Sequence, residues 1–249
     1  MSLTETSLFD AVRNQYLYKL KSRLGFFVAM AGAQVLALLF SLQGVSSYGM
    51  GAQYLDISVR YYSSNVVIWF TVLWIAIIAA KVTARDEQNI EFTFVSNRLS
   101  GNLANAAFLV TAALIGGITA ILSGFLLRII IYFNGNSYLL SQNFIATPDV
   151  VFTGMAVTVL YLLLFGSLGY FCGVLARLSK VFIVLLAGLF FVAVTGFAGT
   201  NPLLLATLDY VYDFFRGESS LALLAIKALL TMVLLYVCSF MLSNRLEVR

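Results

Sequence analysis

The densest group of charged side chains in this sequence lies in residues 84–101, which read ARDEQNIEFTFVSNRLSG. Acids and bases placed among apolar residues are suited to binding a partner surface, because charge pairs fix orientation while apolar side chains supply contact area. The residues that we assign to such contacts are Arg85, Asp86, Glu87, Glu91, Phe94 and Arg98.

A helix over residues 85–99 is predicted. Its first turns hold the acids, where the backbone dipole favours negative charge, and Arg98 lies near the opposite pole. Its face carries Ile90 and Phe94 beside charged neighbours, so a short helix of this kind can insert both side chains into a partner's cleft. The alternative for the same residues is a solvated loop whose charges only fix membrane topology.

Catalytic chemistry is mostly excluded by the residues that the sequence lacks. It contains no histidine, which removes histidine general bases and histidine ligands for zinc or haem. It also has no Gly-x-x-x-x-Gly-Lys-Ser/Thr loop, no HExxH motif and no GxSxG motif. Cys172 and Cys238 lie in apolar runs without metal-ligand spacing, so we expect both to be reduced. We predict no catalytic residue, no metal site and no cofactor bound by this chain.

Composition indicates a polytopic membrane protein. Of 249 residues, 61% are hydrophobic and 10% are charged, whereas a soluble domain carries about a quarter charged residues. A helix that crosses about 30 Å of hydrocarbon needs roughly 20 mostly apolar residues. Six stretches meet that requirement: 24–43, 65–83, 105–127, 150–172, 181–199 and 220–242.

These stretches predict an all-α fold of six transmembrane helices in a single domain, 1–249. Residues 1–23 form an amphipathic connecting helix in this prediction. Residues 199–220 are too charged to span, and Asn201-Pro202 is a favourable helix start. We therefore expect a short outer interfacial or re-entrant helix before the last span.

Lysine and arginine set the orientation, because they are retained on the cytoplasmic side. With the N-terminus inside, most of them fall in cytoplasmic segments, including Arg177 and Lys180 after the fourth span. An even number of spans places both termini in the cytoplasm, and we expect a multi-pass protein of the cell membrane, in bacteria the cytoplasmic membrane. The net charge of +4 follows from this topology and does not indicate nucleic acid binding.

Residues 7–21 have the pattern of an amphipathic helix that lies on the inner membrane face. The apolar stripe consists of Leu8, Val12, Tyr16 and Leu20. Lys19 falls within that stripe, and its long stem allows the charge to reach the headgroups. The basic end, from Lys19 to Arg23, suits anionic lipids.

Gly166, Gly169 and Gly173 share one face of the fourth span. Small residues let helices approach closely in lipid. Two explanations remain open: packing within the chain, and an interface with a second subunit.

Arg128 and Lys227 lie near the outer ends of apolar spans. Either each charge reaches the headgroups on a long stem, or the side chains face an aqueous cavity and contact an anionic substrate or lipid.

Taken as a whole, this order of elements resembles the permease subunit of a type-2 ABC exporter. Members of that family carry Arg-x-Glu, then Gly-Thr-x-Glu, a hydrophobic pair and Pro-x-Ser-Arg after the second span. Four residues fit that pattern here: Arg85, Glu87, Glu91 and Arg98. Gln88-Asn89 replaces Gly-Thr, and Val95 stands where the proline would be. The sequence GVLARLSK, 173–180, is similar to the family's second cytoplasmic turn.

The resemblance implies several partners. A second permease subunit, identical or paralogous, would complete the membrane path, and two cytoplasmic ABC ATPase subunits would bind ATP and Mg. Residues 85–99, with Arg177 and Lys180, would contact the ATPase. The aromatic outer segments suit an amphipathic or hydrophobic substrate, and a peptide or antimicrobial is favoured over a lipid.

Two other classes compete with this interpretation. An ion-coupled secondary transporter or channel usually has acidic ligands inside the bilayer, and the acids of this sequence lie in loops or at interfaces. A membrane enzyme or assembly scaffold is the other class, and the missing histidine argues against most such enzymes.

Overall fold

The computed structural model describes residues 8–43, 46–52, 55–61, 63–83, 98–134, 148–179, 181–182, 188, 214 and 220–245. Its elements in chain order are α1 (Leu8–Ser22), α2 (Leu24–Ser41), β1 (Ser46–Ala52), β2 (Leu55–Tyr61), α3 (Asn65–Val82), α4 (Arg98–Phe133), α5 (Pro148–Leu178) and α6 (Leu221–Arg245).

Five of these helices, α2 to α6, are long and apolar enough to cross a membrane. They correspond to the first four predicted spans and the last one, and each described span is an α-helix. The protein is therefore a multi-pass membrane protein. The predicted fifth span, 181–199, falls almost entirely outside the described residues, and so do most of the predicted segments 85–99 and 199–220.

Two of the spans are longer than the sequence predicts. α4 has 36 residues and α5 has 31, and at 1.5 Å per residue each exceeds the roughly 30 Å hydrocarbon core. Hydropathy predicts the stretch that crosses the bilayer, and it does not predict how far the helix continues beyond that stretch. Pro148 opens α5, where a missing backbone N–H is tolerated, and Asp149 in the first turn suits the helix dipole.

The segment between α2 and α3 contains a β-hairpin that the sequence interpretation did not include. β1 and β2 pair antiparallel, with Ser46 opposite Tyr61 and Ala52 opposite Leu55. This hairpin connects the ends of two neighbouring spans.

The core lies around α3, which is the most buried of the described spans. Ile75 and Ala79 of α3 have no exposed surface, and they cluster with Phe108 of α4 and Leu162 of α5. A second cluster, around Val67 and Leu127, lies nearer the hairpin. α3 is apolar on all sides, as expected for a membrane span, and its Trp69, Leu73 and Ile77 are exposed on the side away from the core.

Contacts between helix ends define the two ends of the bundle. Gly173 of α5 contacts Thr83 at the end of α3, whereas Gly124 of α4 lies close to Ser64 at the start of α3. We call the end that carries Thr83 and α1 the α1 end, and the end that carries Ser64 the hairpin end.

Candidate functional site

The predicted partner-binding residues lie mostly outside the described part of the chain. Of the six residues that the sequence assigns to partner contacts in 84–101, only Arg98 is described, and only by its backbone, as part of α4. The residues outside the described ranges are Arg85, Asp86, Glu87, Glu91, Phe94 and Lys180. Their contacts stay predictions. The described polar contacts identify a different site, at the α1 end.

This site joins α1 to the first turns of α4, and we call it the α1 junction. It consists of Gln15, Lys19, Ser100, Gly101 and Asn105. The ammonium of Lys19 donates to Oδ1 of Asn105 at 2.6 Å and to the carbonyl oxygen of Gly101 at 3.1 Å. One turn earlier in α1, Nε2 of Gln15 donates to Oγ of Ser100 at 3.3 Å. Residues four apart lie on one helix face, so α1 presents a polar face to α4.

The burial of Lys19 corrects the sequence interpretation. Its side chain is 3% exposed, so its charge does not reach lipid headgroups on a long stem. A buried ammonium is strongly unfavourable unless hydrogen-bonded oxygens replace its hydration. Asn105 and Gly101 supply such oxygens, and this requirement fixes α1 on α4.

The apolar stripe of α1 also has a different environment from the one predicted. Val12, Tyr16 and Leu20 are half-buried on the same side of the helix as Lys19, while Phe9 is 73% exposed. α1 packs chiefly against α4 and has few contacts with α2. The stripe therefore faces protein from Val12 to Leu20, and the location of α1 on the inner membrane face stays a prediction.

Arg23, at the end of the predicted basic segment, is also buried. It is 5% exposed, and its guanidinium carbon lies 5.5 Å from the centre of the Phe108 ring, a distance typical of a cation–π contact. Phe26 and Phe27 meet the same ring edge-on. The expected contact of Arg23 with anionic headgroups is thus wrong for this side chain.

The α1 junction contains two buried atoms whose hydrogen-bonding capacity is unused among the described residues. They are Oε1 of Gln15 and Nδ2 of Asn105. A buried polar atom without a partner costs about 1–3 kcal/mol. Among the described residues, the junction therefore forms fewer hydrogen bonds than its buried polar atoms can accept or donate.

A second polar contact extends from the same turns of α4 to the other helices. The Tyr170 hydroxyl of α5 donates to Oδ1 of Asn102 at 2.9 Å. The Tyr170 ring lies 5.3 Å from the ring of Tyr236 in α6, measured between centres. Sequence reasoning missed these residues, because a tyrosine within an apolar run has no local signal that identifies its partner.

The three glycines of α5 lie against α3. A Cβ on Gly169 would overlap the backbone of Ala76, and one on Gly173 would lie 2.8 Å from Cα of Ala80. Gly166 is looser, with Ile75 at 3.5 Å. The glycine face thus packs within the chain, the first of the two explanations left open by the sequence.

Gln34 of α2 forms a polar contact inside the spans that the sequence interpretation did not identify. Its Nε2 donates to Oγ1 of Thr119 at 3.0 Å and to Oγ1 of Thr71 at 3.2 Å. The carbonyl oxygen of Gly116 is at 3.4 Å. This side chain is 5% exposed, and it joins α2, α3 and α4 in a region with no water to hydrogen-bond.

The two cations near the hairpin end have aromatic neighbours. Arg128 lies 5.6 Å from the centre of the Phe125 ring, one turn earlier in α4. The Lys227 ammonium lies 4.2 Å from the centre of the Phe214 ring and donates to the Phe214 carbonyl oxygen at 3.1 Å. Lys227 therefore connects α6 to the segment that precedes it. Contact of Arg128 or Lys227 with substrate stays a prediction.

Arg177 is half-buried in the last turn of α5, at the α1 end. A cation at a helix C-terminus is stabilised by the backbone dipole. The helix dipole therefore stabilises the Arg177 charge at this position. The contact of Arg177 with an ATPase stays a prediction.

Among the described residues, no group of three or more acids and cysteines is arranged to hold a metal ion. Cys172 and Cys238 are free thiols. The described contacts thus hold helices together and provide no nucleophile with its base. The hydrogen bonds of the α1 junction hold α1 against α4.

Comparisons with known proteins give no family. No protein-family model, no curated protein and no solved structure matches this chain.

Proposed function

We propose that this chain is the membrane subunit of an ATP-driven exporter, a permease of the type-2 ABC class. It moves an amphipathic or hydrophobic substrate out of the cytoplasm or the inner leaflet. A peptide or antimicrobial is favoured, and a lipid is the second choice. ATP and Mg are bound by two copies of a partner ATPase, and a second permease subunit completes the path.

The observation that carries this proposal is the hydrogen bond between Lys19 and Asn105. It attaches an N-terminal helix outside the spans to the start of α4. Residues 85–97, the charged stretch, immediately precede α4 in the chain. An ATPase that bound this stretch would act next to the α1 junction.

This arrangement supports a subunit that receives force and does not generate it. The sequence has no phosphate-binding loop, so hydrolysis is assigned to the partner. In the proposal both termini and the α1 end face the cytoplasm, as the lysine and arginine positions predict.

The experiment is to co-purify the chain with the ABC ATPase that the proposal requires, sought first among the neighbouring genes, and to measure ATP hydrolysis in lipid nanodiscs. Glu91→Gln and Phe94→Ala are expected to lower the stimulation of the ATPase by the membrane subunit. Asp149→Asn, at the hairpin end, is the matched control and is expected to leave stimulation unchanged.

Unchanged assembly and stimulation in both coupling variants would contradict the proposal. Transport by the purified chain without an ATPase would instead identify an ion-coupled secondary transporter or a channel. ATPase stimulation by lipids alone, with no response to hydrophobic peptides, would replace the favoured substrate class by a lipid.

A further inference from the structure

Residues 100–105 of α4 contact α1 and α5 through polar groups of their side chains and backbone. Gly101 and Asn105 accept hydrogen bonds from Lys19 of α1, and Asn102 accepts one from Tyr170 of α5. In an α-helix, residues 101 and 105 share a face, and residue 102 lies about 100° around the axis. Two neighbouring faces of the same two turns therefore hold two different helices.

The contact then continues to α6. The Tyr170 ring packs on that of Tyr236, with centres 5.3 Å apart. α6 is the least buried of the described spans, and among the described elements its extensive contacts are with α5. The position of α6 relative to the bundle thus depends strongly on its contact with α5.

α1 depends on α4 in a similar way. It has few contacts with α2, and its buried lysine is bonded to α4. Movement of α1 that preserves the Lys19 hydrogen bonds must carry residues 100–105 with it. Movement that breaks those bonds leaves the buried amide oxygen of Asn105 without its Lys19 partner.

We propose that residues 100–105 transmit displacement of α1 to the contact between α5 and α6, through Lys19 on one side and Tyr170 on the other. A helix of two hydrogen-bonded turns is stiff, so its two faces move together. The inference concerns the chain alone and holds whatever partner acts on α1. Its failure and the failure of the ATPase proposal are therefore distinguishable.

Two engineered cysteines make a direct test possible. In a chain with Cys172→Ala and Cys238→Ala, Val174→Cys and Ser239→Cys place thiols one helical turn after Tyr170 in α5 and Tyr236 in α6, on the faces that carry the two rings. Both positions are buried, at 3% and 1% exposure, so the reaction rates of these thiols with a maleimide report how tightly α5 and α6 pack. Displacement of α1 is measured separately, from the rate of trypsin cleavage at the exposed Arg13.

The experiment uses the full chain in lipid nanodiscs and follows both rates by mass spectrometry. Lys19→Ala is expected to accelerate cleavage at Arg13 and labelling of both cysteines by at least about tenfold, because it removes two hydrogen bonds of an ammonium and the loss of one such bond already gives that factor. Lys21→Ala is the matched control, because Lys21 is exposed on the same helix. It is expected to change neither rate.

Tyr170→Phe distinguishes transmission of α1 displacement through residues 100–105 from a general loosening of the helix bundle. It removes the hydroxyl that bonds Asn102 and leaves the α1 junction intact, so cleavage at Arg13 is expected to stay at the wild-type rate. In the double variant, Lys19→Ala is expected to add nothing to the cysteine rates, because the connection is already broken. Additive effects would overturn the proposal, since they would mean that the two contacts act independently.

Two further results would overturn it. Faster cleavage at Arg13 with unchanged cysteine rates would confine the effect to α1. Continued protection of Arg13 in Lys19→Ala would remove Lys19 as the residue that holds α1. If Lys19→Ala does not fold, Gln15→Ala replaces it, because that change removes only the 3.3 Å hydrogen bond to Ser100. It is expected to give smaller increases in the cleavage rate and in both labelling rates. An increase in cleavage at Arg13 alone would contradict the proposal.

Discussion

The ammonium nitrogen of Lys19 lies 2.6 Å from Oδ1 of Asn105, in a contact where the lysine is 3% exposed and the asparagine is fully buried. The two residues are 86 positions apart in sequence. A charged side chain from a helix outside the spans is thereby enclosed at the start of a transmembrane helix. The first prediction follows from the mutual dependence of this pair.

A double-mutant cycle with Lys19→Met and Asn105→Ala should give a coupling free energy of about 2 kcal/mol, because each single change removes the same charge-assisted hydrogen bond from a buried contact. The free energy of unfolding is measured by denaturant titration in micelles. The cycle with Lys21→Met in place of Lys19→Met is the control and should give additive effects. Additivity in both cycles would mean that the hydrogen bond does not stabilise the fold.

Gly169→Ala should destabilise the protein by about 1–3 kcal/mol, because the new methyl group overlaps the Ala76 backbone and forces α3 and α5 apart. Gly154→Ala in the same helix is the matched control, since a Cβ there has no neighbour within 4 Å. Alanine is favoured over glycine in helices, so the control should be neutral or stabilising. Thermal unfolding of both variants makes the comparison, and equal melting temperatures would show that the glycine contact is not tight.

Gln34→Met should lower the free energy of unfolding by only about 1 kcal/mol, because hydrogen bonds between transmembrane helices contribute modestly. Thr71 and Thr119 keep the hydrogen bonds that they donate to carbonyl oxygens of their own helices. Gln34→Glu should be more destabilising, since an ionised carboxylate would replace the Nε2 donor among three oxygen acceptors. Chemical unfolding of both variants tests this order, and the reverse order would mean that Gln34 does not lie as described.

Cysteine labelling in intact cells tests the orientation. In a chain with Cys172→Ala and Cys238→Ala, Ser63→Cys at the hairpin end should react with a membrane-impermeant maleimide. Ser22→Cys at the end of α1 should react only after permeabilisation, because the α1 end is predicted to be cytoplasmic. Labelling of Ser22→Cys in intact cells would show that the α1 end faces the outside, and it would contradict the proposed ATPase contact.

Much of the bundle could be predicted from local pattern. The spans at 24–43 and 65–83 begin where α2 and α3 begin. The residue spacing predicts the first helix over 7–21, and it is observed at Leu8–Ser22. These features depend on hydropathy and residue spacing within about one helix length, and both can be read from the local sequence.

The α1 junction could not be predicted in the same way. The pattern showed Lys19 as an interruption of an apolar stripe, and either a lipid surface or another helix can accommodate that stripe. Only the packing of α1 on α4, with Asn105 and Gly101 opposite the lysine, decides between them. The same holds for Tyr170 and its partner Asn102, which are 68 positions apart.

By itself, then, the sequence determined that this is a multi-pass helical membrane protein, where most of its spans begin, and that Gly166, Gly169 and Gly173 share a face. Tertiary structure decided what that face contacts, which side of α1 is buried and which polar groups meet inside the bundle. The physical reason is that transfer of a segment into a bilayer depends on its own composition. The partner of a buried polar side chain depends instead on how helices distant in sequence rotate and pack together.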